Sequence, residues 1–296
     1  MKSGQQRHYS PNQCLTALQI TTTDQCALNL HVLQKPQQEG IAPILFVHAL
    51  ALDGNMWQGV ADVLASYNPP FLGGMYAIDC RGHGKSDATD EIFTTKQFAN
   101  DLLAALKGIG VTQAHIVGCS MGGTVALAFA GHYPESTGSI TIIDATAWYG
   151  PEAQSNWESR GQAALTKGMA SLIEFQRARW FSPEFLEKQP VFVQEAINVF
   201  IANDVEHYAN SCRMLGQADE REILKNYHGP AMVIVGEDDF ATPLAMSQDV
   251  AGRIAGAKLT VIPQTRHFTP LEAPEQVAKC ISKIISIAQS SNSLAQ

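Results

Sequence analysis

Short, uninterrupted apolar runs recur along this chain and constrain its fold more than any other feature: APILFVHAL, MYAID, AHIVG, SITIID, AMVIVG and AKLTVI. A strand with one wet face alternates apolar and polar residues. A run without alternation fits a strand buried on both faces. Segments of helical length lie between most of these runs, among them 94–107, 121–131 and 243–254, with a further helix predicted at 56–66. Strands alternating with helices predict an α/β fold with a mostly parallel sheet flanked by helices. Nearer the start, ALQITTT and CALNLHVLQ predict a hairpin around Asp24.

One interval breaks the rhythm. Residues 147–226 hold no buried-strand run and are rich in Gln, Glu, Ala, Leu and aromatics at helical spacing. The expected division is a sheet core over 1–146 and 227–296, with a helical lid, 147–226, inserted after the sixth strand. Open α/β sheets bind ligands at the carboxyl ends of their strands, which is where such a lid would sit. The polar start, 1–12, is expected to be loosely held and the tail SSNSLAQ to be frayed.

Composition excludes several function classes. The 296 residues carry a formal net charge of −8, which disfavours general affinity for nucleic acid or anionic membranes. MKSGQQRHYSPNQ lacks the apolar centre of a signal peptide, and no apolar run is long enough to span a bilayer. The cysteines at 14, 26, 80, 119, 212 and 280 are scattered, which points to a reduced cytoplasmic setting. No metal-ligand spacing occurs, and no cofactor is expected.

Gly118-Cys119-Ser120-Met121-Gly122 reads G-x-S-x-G. The preceding strand run and the following helical run are the context that a nucleophile elbow requires. Its tight turn explains the small residues at 118, 122 and 123, and sets Ser120 near the positive end of a helix dipole. Other glycine motifs fail: Ser120 stands where a dinucleotide fingerprint needs glycine, and Asp79 where a phosphate loop ending at Gly84-Lys85-Ser86 needs one.

A serine hydroxyl becomes a good nucleophile when a base takes its proton and a third group orients that base. Beyond such an elbow the expected order is acid, then histidine. His132 ends the elbow helix, and His207 and His228 fall in or beside the helical interval. His267 follows the last strand run and is the candidate base. The acid should follow AMVIVG: Asp239 is favoured over Asp238, and Asp144, at the end of SITIID, is a weaker rival. The oxyanion donors are expected to be the backbone N–H groups of Met121 and Leu50. His48 is expected to fix its loop, and Cys119 to pack away from the pocket.

HALALDGNMW, DCRGHGKSD, GCSMGG, GEDDFATP and RHFTPLEAPE stand in the order seen in α/β-hydrolase fold enzymes, across most of 25–285. Within that superfamily the chain resembles the 3-oxoadipate enol-lactonase group, including RWFSPEF and CRMLGQADER in the helical interval. The resemblance implies hydrolysis of a small carboxylic ester, foremost a lactone or enol-lactone, in the breakdown of aromatic compounds. A carbon–carbon hydrolase of ring-cleavage products, a broad carboxylesterase and a binding protein with a silent site stand as alternatives. The oxyanion loop reads His48-Ala49 where the family usually has His-Gly. Trp148 stands at the lid entrance, where a lactonase handling a dicarboxylate would want a cation. Trp148, Trp180 and Phe268 are candidate pocket walls. Arg177 and Arg179 either meet a substrate carboxylate or form a solvated helix face. Oligomeric state is left open.

Overall fold

The structure is a computed structural model that describes residues 16–89 and 92–294. The start expected to be loose, 1–12, and Cys14 lie outside the described residues. Strands β1 (Ala17–Thr21) and β2 (Ala27–Gln34) form the hairpin, turning through Asp24 and Gln25. There follow β3 (Ile44–Val47), helix α1 (Gln58–Ser66), β4 (Met75–Ile78), α2 (Thr95–Gly108), β5 (Ala114–Cys119), α3 (Met121–His132) and β6 (Thr137–Ile143). Helices α4 (Ala153–Lys167), α5 (Ile173–Trp180), α6 (Pro183–Lys188), α7 (Pro190–Ile201) and α8 (Val205–Gln217) occupy the interval before β7 (Ala231–Gly236). The chain ends in α9 (Leu244–Arg253), β8 (Lys258–Ile262), α10 (Thr269–Glu272) and α11 (Pro274–Leu294). The last helix thus runs into the tail expected to be frayed.

The strands make one sheet in the order β1-β2-β4-β3-β5-β6-β7-β8. From β4 to β8 every pairing is parallel, and β1 and β2 join antiparallel at one edge. The crossover from β3 leads to β4 on one side, and the crossover from β4 passes over β3 to β5 on the other. A crevice therefore opens at the carboxyl ends of β3 and β5, where such sheets take ligands.

Every residue of β3, β4, β5 and β7 is buried, as their unbroken apolar runs require. The run AKLTVI also predicts a strand buried on both faces, and here the structure differs. In β8 Lys258, Leu259 and Val261 are exposed. Among the described residues β8 pairs only with β7 and closes the sheet, so it lacks cover that a central strand receives. An apolar run alone does not separate an edge from a centre.

The turn from β5 to α3 is built on contact distances that only glycine allows. A Cβ on Gly118 would stand 2.1 Å from the Gly122 carbonyl oxygen, and one on Gly122 would stand 2.2 Å from that of Val47. The first contact brings the helix down onto its own strand, and the second brings it onto β3. Between them Ser120 takes φ 54°, ψ −118°, a conformation rare for residues with a side chain. Helix α3 is buried from Met121 to Gly131, so it is held on all sides.

Buried polar groups pin the neighbouring loops. Asp79 accepts from Asn29 Nδ2 (2.9 Å), His31 Nε2 (2.8 Å), Gly54 N (2.8 Å) and Lys85 N (3.0 Å). Burial would raise its pKa, but the His31 hydrogen bond and charge outweigh it and hold it at about 2. DCRGHGKSD is thereby a structural loop tied to the sheet. In β5, His115 is buried against Ser139 Oγ (2.9 Å), and burial lowers its pKa to about 4.

Gly122→Ala is expected to destabilise the fold by at least about 2 kcal/mol, because backbone on both sides must move. A urea midpoint equal to that of the unsubstituted chain would contradict this packing. His115 binds its proton more readily unfolded than folded. Its contribution is therefore complete above pH of about 6.5 and is lost as pH falls through about 4. His115→Gln should flatten the fall of stability with acid in that window by roughly 1.4 kcal/mol per pH unit. An unchanged slope in urea titrations across those pH values would contradict it.

Candidate active site

Loops at the carboxyl ends of β3, β5, β7 and β8 converge on one cavity. It is lined by Leu50, Ser120, Tyr149, Trp157, Arg160, Gln176, Arg179, Trp180, Ala241, Thr242, His267 and Phe268. Ser120 Oγ lies 2.8 Å from His267 Nε2, and His267 Nδ1 lies 2.9 Å from Asp239 Oδ2. Three side chains far apart in sequence thus form one hydrogen-bonded row. The hydroxyl donates to Nε2, and Nδ1–H donates to the carboxylate.

Asp239 is itself held. Its Oδ1 accepts from Ala241 N (2.7 Å) and Thr242 N (3.0 Å), and its Oδ2 also accepts from Thr242 Oγ1 (2.8 Å). Burial acts to raise its pKa; His267 and the Thr242 donors outweigh that, leaving it below the ordinary carboxylate value. Asp238, the other candidate in the same loop, is exposed.

Asp144 does not reach His267. It accepts from Gly236 N (2.9 Å) and Thr269 N (3.0 Å) and bonds Thr269 Oγ1 (2.7 Å), tying the ends of β6 and β7 to the turn after His267. Full burial, and then the negative charge of Asp239, push its pKa well up. A neutral carboxyl still accepts both N–H groups and can donate to the threonine oxygen. Sequence reasoning weighed Asp144 only as a rival acid and missed this anchoring contact, which no local motif signals.

Met121 opens α3; Gly123 N and Thr124 N donate to Ser120 O, and the N–H groups of Met121 and Gly122 lie ahead of that helical ladder. Leu50 is buried in the cavity wall, in the loop after β3. His48 bridges that loop: Nδ1 donates to Ala49 O (2.8 Å) and Nε2 accepts from Cys80 N (2.9 Å). The positive φ in this loop falls at Ala51 (61°), not at the Ala49 that stands for the usual glycine. Cys119 is buried and directs Sγ toward the His267 carbonyl (3.9 Å). Burial raises its thiol pKa well above the ordinary value, which suits a packed and inert residue.

Of the three expected aromatic walls, the structure brings two to Ser120. Trp180 stacks on Phe268 with ring centroids 5.2 Å apart, and Phe268 N donates to Trp180 O (3.1 Å). Trp148 is elsewhere. Its ring lies under the Arg221 guanidinium, 3.9 Å away, in a separate hollow with Asp249 and Arg253. Tyr149 takes the cavity position instead, because the chain leaving β6 turns before α4 and presents adjacent side chains to opposite sides. Trp157, Arg160 and Gln176 were also missed. Helical spacing carried the signal: Trp157 and Arg160 are three apart on α4, and Gln176, Arg179 and Trp180 share a face of α5. Arg177 points outward and is exposed. Among the described residues no group of His, Cys, Asp or Glu could hold a metal ion, and no helix is long and apolar enough to cross a membrane.

Comparison with known proteins fits this geometry. A family model described as alpha/beta hydrolase fold matches residues 42–274. The 3-oxoadipate enol-lactonase 1 of Acinetobacter baylyi is 30% identical over 254 residues, 85% of this chain and 91% of that protein. The 3-oxoadipate enol-lactonase 2 of the same organism is 28% identical over 82% of this chain and 88% of that protein. Among solved structures, the enol-lactonase from Burkholderia xenovorans superposes with a TM-score of 0.83 at 26% identity, covering 91% of this chain and all (100%) of that one. With its elbow, its sheet order and a family match over most of its length, the chain belongs to the alpha/beta hydrolase fold family.

Proposed function

We propose that this chain is a serine hydrolase of a small carboxylic ester, foremost a lactone or enol-lactone. The observation that carries this is the row Ser120–His267–Asp239 opening into an aromatic-walled cavity. The likeness to enol-lactonases supports the lactone.

Ser120 Oγ attacks the ester carbonyl while His267 Nε2 takes its proton. Asp239 keeps the imidazole in the tautomer that leaves Nε2 free to accept, and stabilises the imidazolium once it forms. The tetrahedral oxygen is held by the N–H groups of Met121 and Leu50, each worth roughly 2.7–4 kcal/mol in the transition state. His267 returns its proton to the leaving alkoxide or enolate. In a lactone that leaving group stays joined to the acyl chain through the ring carbons. Water, deprotonated by His267, then cleaves the acyl-enzyme and frees Ser120. Residues 147–226 act as a lid on a core formed by the described residues of 1–146 and 227–296. Its helix α5 carries Gln176, Arg179 and Trp180 to the cavity. The buried free thiols Cys26, Cys80, Cys119 and Cys212 suit a reducing cytoplasm.

Enol-lactone, p-nitrophenyl acetate and a vinylogous 1,5-diketone acid should be assayed side by side. Preferred turnover of the enol-lactone supports the lactonase. Preference for the diketone acid would mark a carbon–carbon hydrolase, and indifference to ring or chain a broad esterase. Ser120→Ala should lower kcat by at least about 10⁴-fold with the fold intact by circular dichroism. Equal rates for Ser120→Ala and the unsubstituted chain would end the proposal. Asp239→Asn should also cost about 10⁴-fold in kcat, because the amide favours the wrong imidazole tautomer. A loss below tenfold would show that another group orients His267.

A further inference from the structure

Building on the hydrolase function proposed above, we propose that Asn203 is a positioning residue: from the lid it holds the turn whose Leu50 N–H serves the oxyanion. Leu52 N donates to Ala49 O (3.0 Å), which closes a β-turn from Ala49 to Leu52. Positive φ falls at its third residue, Ala51 (61°), and not at its second, Leu50. That is the type II pattern, whose third position favours glycine. Here a fully buried alanine stands there. Leu50 lines the cavity, and among the described residues no acceptor takes its N–H.

Alanine at that place favours a type I turn. The two forms differ by a flip of the Leu50–Ala51 peptide, which would reverse the Leu50 carbonyl and displace the N–H beside it. The observed form persists only where its surroundings hold it. The core holds the first residue: His48 Nδ1 donates to Ala49 O (2.8 Å), and Ala49 N lies 3.3 Å from Met56 Sδ. The third residue is held from the lid. Asn203, in the bend between α7 and α8, donates from Nδ2 to Ala51 O (2.8 Å).

The same Nδ2 lies 2.9 Å from Val199 O and 3.2 Å from Phe200 O, carbonyls in the last turn of α7. An amide nitrogen carries two hydrogens, so its two shortest contacts clip the end of α7 to the turn. Phe200 packs edge-on against Trp180 of the cavity wall, with ring centroids 5.0 Å apart. One stretch of the lid thus sets both the aromatic wall and the oxyanion turn. A helix cap alone would bond Val199 and Phe200 and leave the turn untouched. The contact to Ala51, 152 residues away in sequence, is what capping does not explain.

A coupling experiment separates positioning from capping. With p-nitrophenyl acetate, Asn203→Ala should lower kcat about 10-fold and change KM by less than about twofold. Glycine takes positive φ without strain. In an Ala51→Gly background the same substitution should therefore lower kcat by less than about threefold. An unchanged kcat in Asn203→Ala, or an equal loss in both backgrounds, would overturn the role and leave a helix cap. Asn203→Asp keeps the shape but offers no N–H, and should lose at least as much. It decides the matter should Asn203→Ala fail to fold. The Leu50 amide resonance of isotope-labelled protein reads the turn without turnover. It should move in Asn203→Ala, and far less when Ala51→Gly is present; no movement would overturn the proposal whatever the activity. If it moves while the unsubstituted chain is no faster than Ser120→Ala, the hydrolase reading has failed and the positioning role falls with it.

Discussion

The close approach of helix α3 to strands β3 and β5 is the constraint on which the site rests. It admits no side chain at Gly118 or Gly122 and forces positive φ on Ser120. A residue held in such a region costs about 1–3 kcal/mol and persists only where its surroundings determine it. Here they do: α3 is buried on all sides, and Ser120 N donates to Ile143 O (2.9 Å) of the adjacent strand. Strain is thereby converted into position. The hydroxyl stands clear of the sheet end, at the start of a helix whose first N–H groups face the same space.

A second layer of order comes from two buried carboxyls with opposite tasks. Asp239 accepts from four donors, His267 among them, and stays charged. Asp144 is fully buried, feels the charge of Asp239, and is driven toward its neutral form. Their environments push the two pKa values apart, which lets one orient an imidazole while the other fastens the loop that carries it. The Asp144–Thr269 contacts sit two residues past His267 and join it to β6 and β7. Helix α5 reaches the same loop through Trp180 O and Phe268 N, so the wall of the cavity and its candidate base are mechanically linked.

Much of this was legible in the sequence wherever one physical cause dominates. Unbroken apolar runs named the central strands, because burial on both faces leaves no room for alternation. Small residues around Ser120 named the turn, because contact distance forbids anything larger. The separation of Asp239 from its neighbour Asp238 followed from loop position, and exposure agrees with it. Features set by relations between distant elements were not legible. β8 reads like its neighbours although it is the sheet edge. Trp148 and Tyr149 are adjacent in sequence and were separable only by the direction of the turn after β6. Arg160 depends on how α4 packs against α8, with Gln176 as its link to α5. Its spacing from Trp157 hinted at a shared face but not at which face would meet the cavity.

Covalent labelling with a small alkyl phosphonate ester tests the central claim most directly: a hydroxyl held by a strained turn and activated by His267. Such a reagent reacts with an activated serine and scarcely with an ordinary one. Mass mapping of the digested protein should find one adduct, on the peptide holding Ser120, and none on the His267→Ala variant. An unlabelled protein, or label equally present without His267 or placed on Cys119, would contradict the claim.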